Sequence, residues 1–188
     1  IIYYQGESDD HRPFSYSHLF KNMIHVWRRD FQDENLPFLC VQLPIHHYLS
    51  DTVMDKWCPI RQAQIQLHLE GIVTGIAVAL DCGEYNNIHP IHKKEVGRRL
   101  ALQALYHVYH ILPETKVYGP ILREYLIKGS KMTLLFDYAE SGFHTTTDTL
   151  NGFELADESG IFHTAQAEIQ GSTVVLTCPE VSLPTQAR

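Results

Sequence analysis

Residues 80–90 read LDCGEYNNIHP and stand between an apolar run over residues 72–80 and a long amphipathic pattern. The apolar run is typical of a strand that is buried on both faces of a parallel sheet. The amphipathic pattern predicts a helix, and Pro90 suits its first position because the missing N–H would be unpaired there anyway. His89 therefore follows the carboxyl end of a strand, at the edge where open α/β sheets bind their ligands.

The residues around His89 are polar. They include one aspartate, one glutamate and two asparagines, namely Asp81, Glu84, Asn86 and Asn87. A single histidine before a helix is most often a capping or loop residue, and that interpretation stays open. However, acid–base catalysis needs an orienting group next to the base. The polar neighbours therefore favour a catalytic role for His89.

Strand-like and helix-like patterns alternate over the first 113 residues. Three apolar runs predict strands, at residues 1–4, 36–43 and 72–80. Each is followed by a segment with the helical spacing of apolar residues, at 19–31, 59–69 and 90–108. This order is typical of parallel strands joined by right-handed crossovers. Residues 1–113 are therefore predicted to form an α/β core.

The pattern changes after Pro113. Short β-prone runs follow, at residues 117–126, 132–138, 152–155, 165–169 and 173–178. Turn-forming residues separate them, including Gly129, Gly160 and Gly171. We therefore expect residues 114–188 to form an antiparallel, β-rich appendage, whose last residues read as a further strand.

The composition argues against several classes of function. The chain has 188 residues, 44% of them hydrophobic, and a formal net charge of −7. A nucleic-acid or anionic-membrane partner needs a basic surface, which this charge does not suit. No apolar run reaches the length of a membrane span. The four cysteines lie far apart, without the paired spacing of a metal site, and no cofactor is expected.

Two motifs resemble those of the sialate O-acetylesterases, a group of SGNH hydrolases. Residues 3–9 read YYQGESD and resemble the family's aromatic-Tyr-Gln-Gly-Glu-Ser block. Residues 81–102 carry DCGE, NIHP and KEVGRRLAL in this order and resemble its closing motif. Residues 36–44 and 61–64 are also similar to the family, so the resemblance covers most of the chain. It implies part of a flavodoxin-like parallel sheet with helices on both faces, followed by the family's β-rich region.

The resemblance implies hydrolysis of O-acetyl esters on sugars by a serine–histidine mechanism. Sialic acid acetylated at its 9-position is the leading substrate, and acetylxylan-type glycans are the alternative. The family carries its nucleophilic serine in a Gly-Gln-Ser-Asn-like block, and no such block occurs in this sequence. We therefore expect a C-terminal fragment of a longer esterase, inactive by itself. The family's substrates suggest a secreted or periplasmic protein.

The resemblance also implies roles for individual residues. His89 is the expected base, and the side-chain amide of Gln5 is the expected oxyanion donor. Glu7 is expected to brace its loop or to orient Gln5. Ser8 lacks the Gly-x-Ser-x-Gly elbow of a nucleophile and is expected to be a turn residue. Arg61 could contact the carboxylate of a sialic acid, although an arginine beside glutamines on a helix is more often a structural tether.

The sequence departs from the family where the base should be oriented. The family has an aspartate shortly before the histidine, whereas Asn86 and Asn87 occupy both candidate positions here. A neutral amide accepts the imidazole N–H but does not stabilise imidazolium, an exchange that costs about 10⁴ in rate in a serine protease. Asp81 or Glu84 could substitute, a main-chain carbonyl could hold the ring, or the protein could be weakly active. These alternatives stay open.

Two other functions stay open as well. The sequence contains 12 histidines, and three pairs could supply metal ligands: His46/His47, His89/His92 and His107/His110. Adjacent side chains diverge, and no carboxylate pair stands near the third pair, so solvated surface histidines are the better interpretation. The second alternative is a sugar-binding homologue that keeps the esterase fold without its activity, which the two asparagines would explain.

Overall fold

A computed structural model describes residues 1–46, 57–145 and 148–188. The chain divides into two compact units, Ile1–Val117 and Tyr118–Arg188. The sequence predicted the change from α/β to β-rich structure at residue 113, and the first unit extends slightly beyond that residue. The sequence-predicted site residues all belong to the first unit.

The first unit contains a parallel sheet of three strands. They are β1 (Ile2–Tyr3), β2 (Leu39–Gln42) and β3 (Gly75–Val78), in the spatial order β1-β2-β3. All of β2 is buried, as expected of a strand covered on both faces. The register sets Ile2 beside Leu39 and Leu39 beside Gly75, so the three strands end at one edge of the sheet. The predicted α/β core with a partial parallel sheet is confirmed.

Three helices cover the two faces of this sheet. They are α1 (Pro13–Asp30), α2 (Cys58–Leu69) and α3 (Lys93–His107). On one face α1 and α2 pack together, and Phe20, Cys40 and Ile60 belong to the buried cluster there. On the other face α3 contributes Val96 and Leu100 to a second cluster. In the described part of the chain, no helix is long and apolar enough to cross a membrane.

The structure corrects the predicted start of α3. The helix begins at Lys93, with His92 as its capping residue, and not at Pro90. Pro90 is buried in the loop before the helix. The next N–H, that of Ile91, donates to the carboxylate of Glu84 at 2.8 Å. This bond holds the backbone of the loop outside the helical path, so the helix starts only after it.

The second unit consists of antiparallel strands. They are β4 (Ile121–Lys128), β5 (Lys131–Asp137), β6 (Glu154–Ala156), β7 (His163–Thr164), β8 (Gln166–Gln170), β9 (Thr173–Thr177) and β10 (Gln186–Ala187). One sheet has the order β4-β5-β9-β8 and the other the order β10-β6-β7. The predicted antiparallel appendage is confirmed, including the strand near residue 188. The short strand β7 was not predicted, because two residues carry no recognisable alternation.

Candidate active site

The carboxyl ends of the parallel strands meet at one edge of the sheet, and both predicted parts of the site start there. Gln5 comes shortly after β1, and His89 lies in the long connection between β3 and α3. The register of the three strands places these ends at the same edge. We call residues 3–9 the glutamine arm and residues 79–92 the histidine arm.

The amide of Gln5 is held at both ends by hydrogen bonds. The Tyr3 hydroxyl donates to Gln5 Oε1 at 2.8 Å, and Gln5 Nε2 donates to Asp9 Oδ2 at 2.8 Å. Burial raises the pKa of the Tyr3 phenol to about 12, so its hydroxyl stays protonated and a donor even at alkaline pH. Glu7, which was expected to orient Gln5 or to brace the loop, lies in the 3-10 helix Glu7–Asp9. The carboxylate that contacts the Gln5 amide is that of Asp9.

The backbone of Gln5 is fixed by two buried side chains. Its carbonyl oxygen accepts hydrogen bonds from the Tyr16 hydroxyl at 3.0 Å and from Gln64 Nε2 at 3.1 Å. Gln64 is fully buried, and its Oε1 accepts from the N–H of Leu43 at 3.0 Å. One glutamine of α2 therefore joins the segments that follow β1 and β2. Sequence reasoning noted residues 61–64 but gave Gln64 no role.

Gly6 turns the chain between Gln5 and the 3-10 helix. Its φ of 148° lies in a region that residues with a side chain rarely adopt. A Cβ at this position would lie 2.9 Å from Ile60 Cγ2 and 3.0 Å from Leu43 Cδ1, closer than packed carbon atoms approach. Both constraints require glycine here. The glutamine arm keeps its direction because its backbone packs directly on α2.

A cavity of about 230 Å³ lies beside the glutamine arm. Its lining residues come from the glutamine arm and from α1: Tyr3, Gln5, Asp9, Tyr16, Leu19, Phe20 and Met23. The rings of Tyr3 and Phe20 stack in its wall, with their centroids 4.5 Å apart. The Gln5–Asp9 pair therefore borders open space and not a close-packed core.

The histidine arm is braced by a chain of hydrogen bonds around Glu84. Glu84 Oε1 accepts from the N–H of Ile91 at 2.8 Å, and Oε2 accepts from Asn87 Nδ2 at 2.9 Å. Asn87 Oδ1 in turn accepts from the N–H of His89 at 3.0 Å. These two hydrogen bonds hold the pKa of Glu84 below its usual range, and the bond from Ile91 has the larger effect. Both side chains are thus used to hold the backbone on either side of His89.

His89 is exposed. Within residues 1–46, 57–145 and 148–188, no group makes a hydrogen bond to the ring. Asn86, the first candidate for orienting it, is exposed too. Asn87, the second, contacts the backbone N–H of His89 instead of the ring. The described residues therefore leave the ring without an orienting partner.

Asp81, a third candidate for orienting the ring, is bound to Arg99. The guanidinium donates to both carboxylate oxygens of Asp81, at 2.5 and 2.7 Å. It also donates to the carbonyl of Val78 and to the carboxylate of Glu95. The hydrogen bonds from Arg99 hold the pKa of Asp81 below its usual range. This network fastens the 3-10 helix Leu80–Cys82 to α3.

The histidine arm also packs on the segment that follows β2. A Cβ on Gly83 would collide with the backbone nitrogen and oxygen of Ile45. Gly83 has a φ of −80°, which any residue adopts, so the requirement for glycine comes from the contact alone. The start of the histidine arm is therefore fixed by the backbone after β2 as well as by α3.

Tyr4 and Lys93 connect the glutamine arm to the start of α3. Tyr4 precedes Gln5, and Lys93 is the first residue of α3. Lys93 Nζ lies 4.5 Å from the centroid of the Tyr4 ring and 3.4 Å from its hydroxyl oxygen, which is a cation–π contact. The Tyr4 ring also packs against the buried cluster that contains Cys82. The glutamine arm and the residues just after the histidine arm therefore touch.

Arg61, a candidate contact for a sialic acid carboxylate, is buried and already has partners. Its guanidinium donates to the carbonyl of Pro44 at 3.4 Å and to Cys58 Sγ at 3.5 Å. Its own carbonyl accepts from Gln42 Nε2 at 3.1 Å. These contacts join α2 to the end of β2 and favour the interpretation of Arg61 as a structural tether.

Three histidine pairs were predicted as possible metal ligands. Among the described residues, no three His, Cys, Asp or Glu side chains lie close enough to hold a metal ion. His47, of the first pair, lies outside those residues. A different pair, His68 and His107, has ring centroids 6.3 Å apart, and burial lowers the pKa of both. His68 Nδ1 contacts the carbonyl of Val73 before β3, away from the carboxyl ends of the strands.

Comparison with known proteins identifies the family. The model of the carbohydrate esterases described as sialic acid-specific acetylesterase (SASA) matches residues 1–106. This match includes the parallel sheet and both arms. The chain belongs to the SASA family. The resemblance carried by the two sequence motifs is therefore confirmed.

A solved structure is similar to the SASA chain over both of its units. It is the crystal structure of XAC1771, described as a novel carbohydrate acetylesterase from Xanthomonas citri, with 32% identity and a TM-score of 0.85. The match covers 100% of the SASA chain and 43% of the XAC1771 chain. The SASA chain thus spans less than half the length of that protein. No curated protein matches the chain.

Proposed function

We propose that this chain supplies the base and the oxyanion donor of a carbohydrate O-acetylesterase. One observation carries the proposal: Gln5 and His89 follow strands that end at the same edge of the sheet. Tyr4 of the glutamine arm also packs against the buried cluster that contains Cys82 of the histidine arm. Ester hydrolysis requires a base and an oxyanion donor that reach one carbonyl group. The shared edge supports this reaction.

In the proposed reaction, the nucleophilic serine comes from a part of the protein outside residues 1–188. His89 takes the serine proton as the serine oxygen attacks the acetyl carbonyl, and then gives this proton to the departing sugar oxygen. In the second half of the reaction, His89 takes a proton from water as the water oxygen attacks the carbonyl of the acyl-enzyme. The serine oxygen then leaves with this proton, and acetate is released. One N–H of Gln5 is bound to Asp9, and the other donates to the oxyanion. Such a donor contributes about 3 kcal/mol to the transition state.

The proposed substrate is a sialic acid acetylated at its 9-position. The family's description as sialic acid-specific supports an acidic sugar. A cation near the site would bind its carboxylate, and we assign this role to Lys93 instead of the buried Arg61. Lys93 is exposed and contacts the residue before Gln5. Acetylxylan-type glycans are neutral and would not need this cation.

The substrate class can be tested with Lys93→Gln in the longer esterase. We expect kcat/KM for a 9-O-acetylated sialic acid to fall about tenfold, because a charge-assisted contact is lost. Hydrolysis of a neutral acetylated xylan oligosaccharide should stay unchanged. Equal losses on both substrates would contradict the role of Lys93 in charge recognition and leave it a structural contact.

The esterase activity is tested by acetate release from the longer protein and from residues 1–188 alone. His89→Ala should lower the rate of the longer protein by several orders of magnitude, as loss of the base does in serine hydrolases. Ser8→Ala, which changes an exposed residue of the glutamine arm, should leave the rate unchanged. Residues 1–188 alone should release no acetate. Activity of this chain alone that Ser8→Ala abolishes would make Ser8 the nucleophile.

A second candidate is a sugar-binding protein with little or no esterase activity. The observation that favours it is the exposed imidazole of His89, which has no hydrogen-bond partner among the described residues. An unoriented base is a poor catalyst. If the longer protein binds an acetylated sugar but releases acetate no faster than its His89→Ala variant, this second function replaces the first.

A further inference from the structure

Glu84 accepts hydrogen bonds from two residues that lie on either side of His89. Its carboxylate accepts from the N–H of Ile91, two residues after His89, and from the side chain of Asn87, two residues before it. The Asn87 oxygen continues the chain to the N–H of His89 itself. These three bonds bracket the proposed base without touching its ring.

The direction of these bonds is fixed by the chemistry of the two side chains. A carboxylate only accepts hydrogen bonds, whereas an amide donates from nitrogen and accepts at oxygen. Glu84 therefore binds the nitrogen of Asn87, which leaves the Asn87 oxygen for the N–H of His89. The opposite orientation of the amide would set oxygen against oxygen at Glu84 and nitrogen against nitrogen at His89. One arrangement satisfies every group.

We propose that Glu84 and Asn87 are a matched positioning pair that sets the backbone of His89 for catalysis. The effect on catalysis rests on the proposed function, whereas the pairing is a property of the chain itself. Neither residue touches the reacting atoms, so both act through His89. It follows that Asn87→Asp is harmful while Glu84 is present. Two carboxylates would then face each other across a gap that now holds a 2.9 Å hydrogen bond.

The pair is tested by reversing its polarity. Glu84→Gln leaves one donor facing another, and Asn87→Asp leaves one carboxylate facing another. The double variant Glu84→Gln/Asn87→Asp restores every bond: the new amide nitrogen donates to the new carboxylate, whose other oxygen accepts from His89. The new amide oxygen still accepts from Ile91. Glu70→Gln is the matched control, because Glu70 accepts from Gln66 Nε2 at 3.2 Å at the end of α2, on a surface outside the histidine arm.

The first measurement needs no enzymatic activity. Amide hydrogen exchange of His89 and Ile91 is followed by NMR in the longer protein. Each single variant should speed exchange at one or both amides by about tenfold, because a hydrogen bond is lost. The double variant and Glu70→Gln should exchange at the wild-type rate.

The second measurement is kcat and KM for acetyl ester hydrolysis. Each single variant should lower kcat by about 10- to 100-fold, since a small displacement of a catalytic group has effects of this size. KM should change less than kcat, and the double variant should recover most of the loss.

The proposed pair would be overturned if the losses of amide protection and kcat in the double variant equalled the sum of the losses in the two single variants. It would also be overturned if the single variants changed neither the exchange rates nor kcat. Recovery of both quantities in the double variant would establish it. If the wild-type protein hydrolyses no acetyl ester, the proposed function fails. In that case the pair is judged from the amide exchange rates of His89 and Ile91 alone: recovery in the double variant supports it, and no recovery contradicts it.

Discussion

The carboxylate of Asp9 lies 2.8 Å from the amide nitrogen of Gln5, the group proposed to stabilise the oxyanion. A carboxylate accepts and never donates, so it keeps the nitrogen of the amide, and not its oxygen, at that position. The Tyr3 hydroxyl fixes the other end of the same amide. The donor of the proposed reaction is therefore set in place before substrate arrives, which is how an oxyanion donor is most effective.

Gln5→Ala should lower kcat of the longer esterase by about 10²- to 10³-fold, the usual effect of removing one oxyanion donor. KM should change little, since the bond forms in the transition state. Asp9→Asn is the companion variant. The asparagine can present its nitrogen to the Gln5 amide, which would then rotate so that its oxygen replaces its nitrogen at that position. Because only part of the molecules would do so, we expect a smaller loss of kcat than in Gln5→Ala. The kinetic constants with a chromogenic acetyl ester provide the measurement. A pure rise in KM in Gln5→Ala would show that Gln5 binds substrate instead.

Asn86→Asp should raise kcat of the longer esterase. Within the described residues the ring of His89 has no hydrogen-bond partner, and a carboxylate nearby would stabilise the imidazolium that forms during the reaction. The pH–rate profile is the measurement, because the same change should move its acidic limb to higher pH. An unchanged or lower kcat would mean that another group already orients the ring.

Gly6→Ala should destabilise the protein by about 1–3 kcal/mol, because it combines an unfavourable φ with a collision against Ile60. Gly97→Ala is the control from α3. A Cβ at Gly97 meets no atom within 4 Å, and a helical alanine is more stable than glycine by about 0.8–1 kcal/mol. Urea unfolding of both variants gives the free energies. Equal effects in the same direction would contradict the packing described for Gly6.

The free energy of unfolding should fall as the pH is lowered from 7.5 to 5.5, in part through His68 and His107. Burial lowers the pKa of both in the folded state, so the unfolded chain binds more protons below its own histidine pKa of about 6.5. The contribution of the two histidines to the free energy of unfolding is therefore fully present above pH 6.5. It is lost as the pH falls from there toward their pKa in the folded state. His107 also faces His110 and Glu114, and Arg28 and Glu34 line the same cavity as the pair.

His68→Asn tests this pH dependence. The asparagine keeps a donor for the carbonyl of Val73, which His68 Nδ1 now contacts, but it does not titrate. The difference in unfolding free energy between pH 7.5 and 5.5 should be smaller in this variant than in the wild type. His11→Asn, at a side chain that is 65% exposed, should leave the difference unchanged. An unaltered difference in His68→Asn would contradict the assignment.

The sequence was sufficient for the placement of the two arms. Buried apolar runs such as 36–43 and 72–80 predict strands of a parallel sheet, and the carboxyl ends of such strands share one edge. Gln5 and His89 could be placed there because each follows such a run. Gly97 shows the limit of helical spacing: it lies in the predicted helix 90–108 beside the buried Val96, but it is itself exposed.

Side-chain partners were not predictable in the same way. Asp81 stood near His89 in sequence and looked available, but Arg99, 18 positions further on, binds it. Gln64 lies on the helical face of Ile60 and Leu67, so its burial could have been inferred, but not its bond to a carbonyl 59 positions earlier. Periodicity reports which face of an element is buried. Partners across elements are set by tertiary packing, which periodicity does not encode.

The bond between Gln64 and Gln5 has a consequence for biosynthesis. The carbonyl of Gln5 accepts a hydrogen bond from Tyr16, 11 positions later, but its second bond, from Gln64, becomes possible only after α2 has been made, 59 positions later. At 5–20 residues per second this interval lasts roughly 3–12 s. During that time the Gln5 carbonyl can have only one of its two side-chain partners, the Tyr16 hydroxyl. The bonds around Glu84, by contrast, join residues at most seven apart, so they can form almost as soon as the histidine arm is translated.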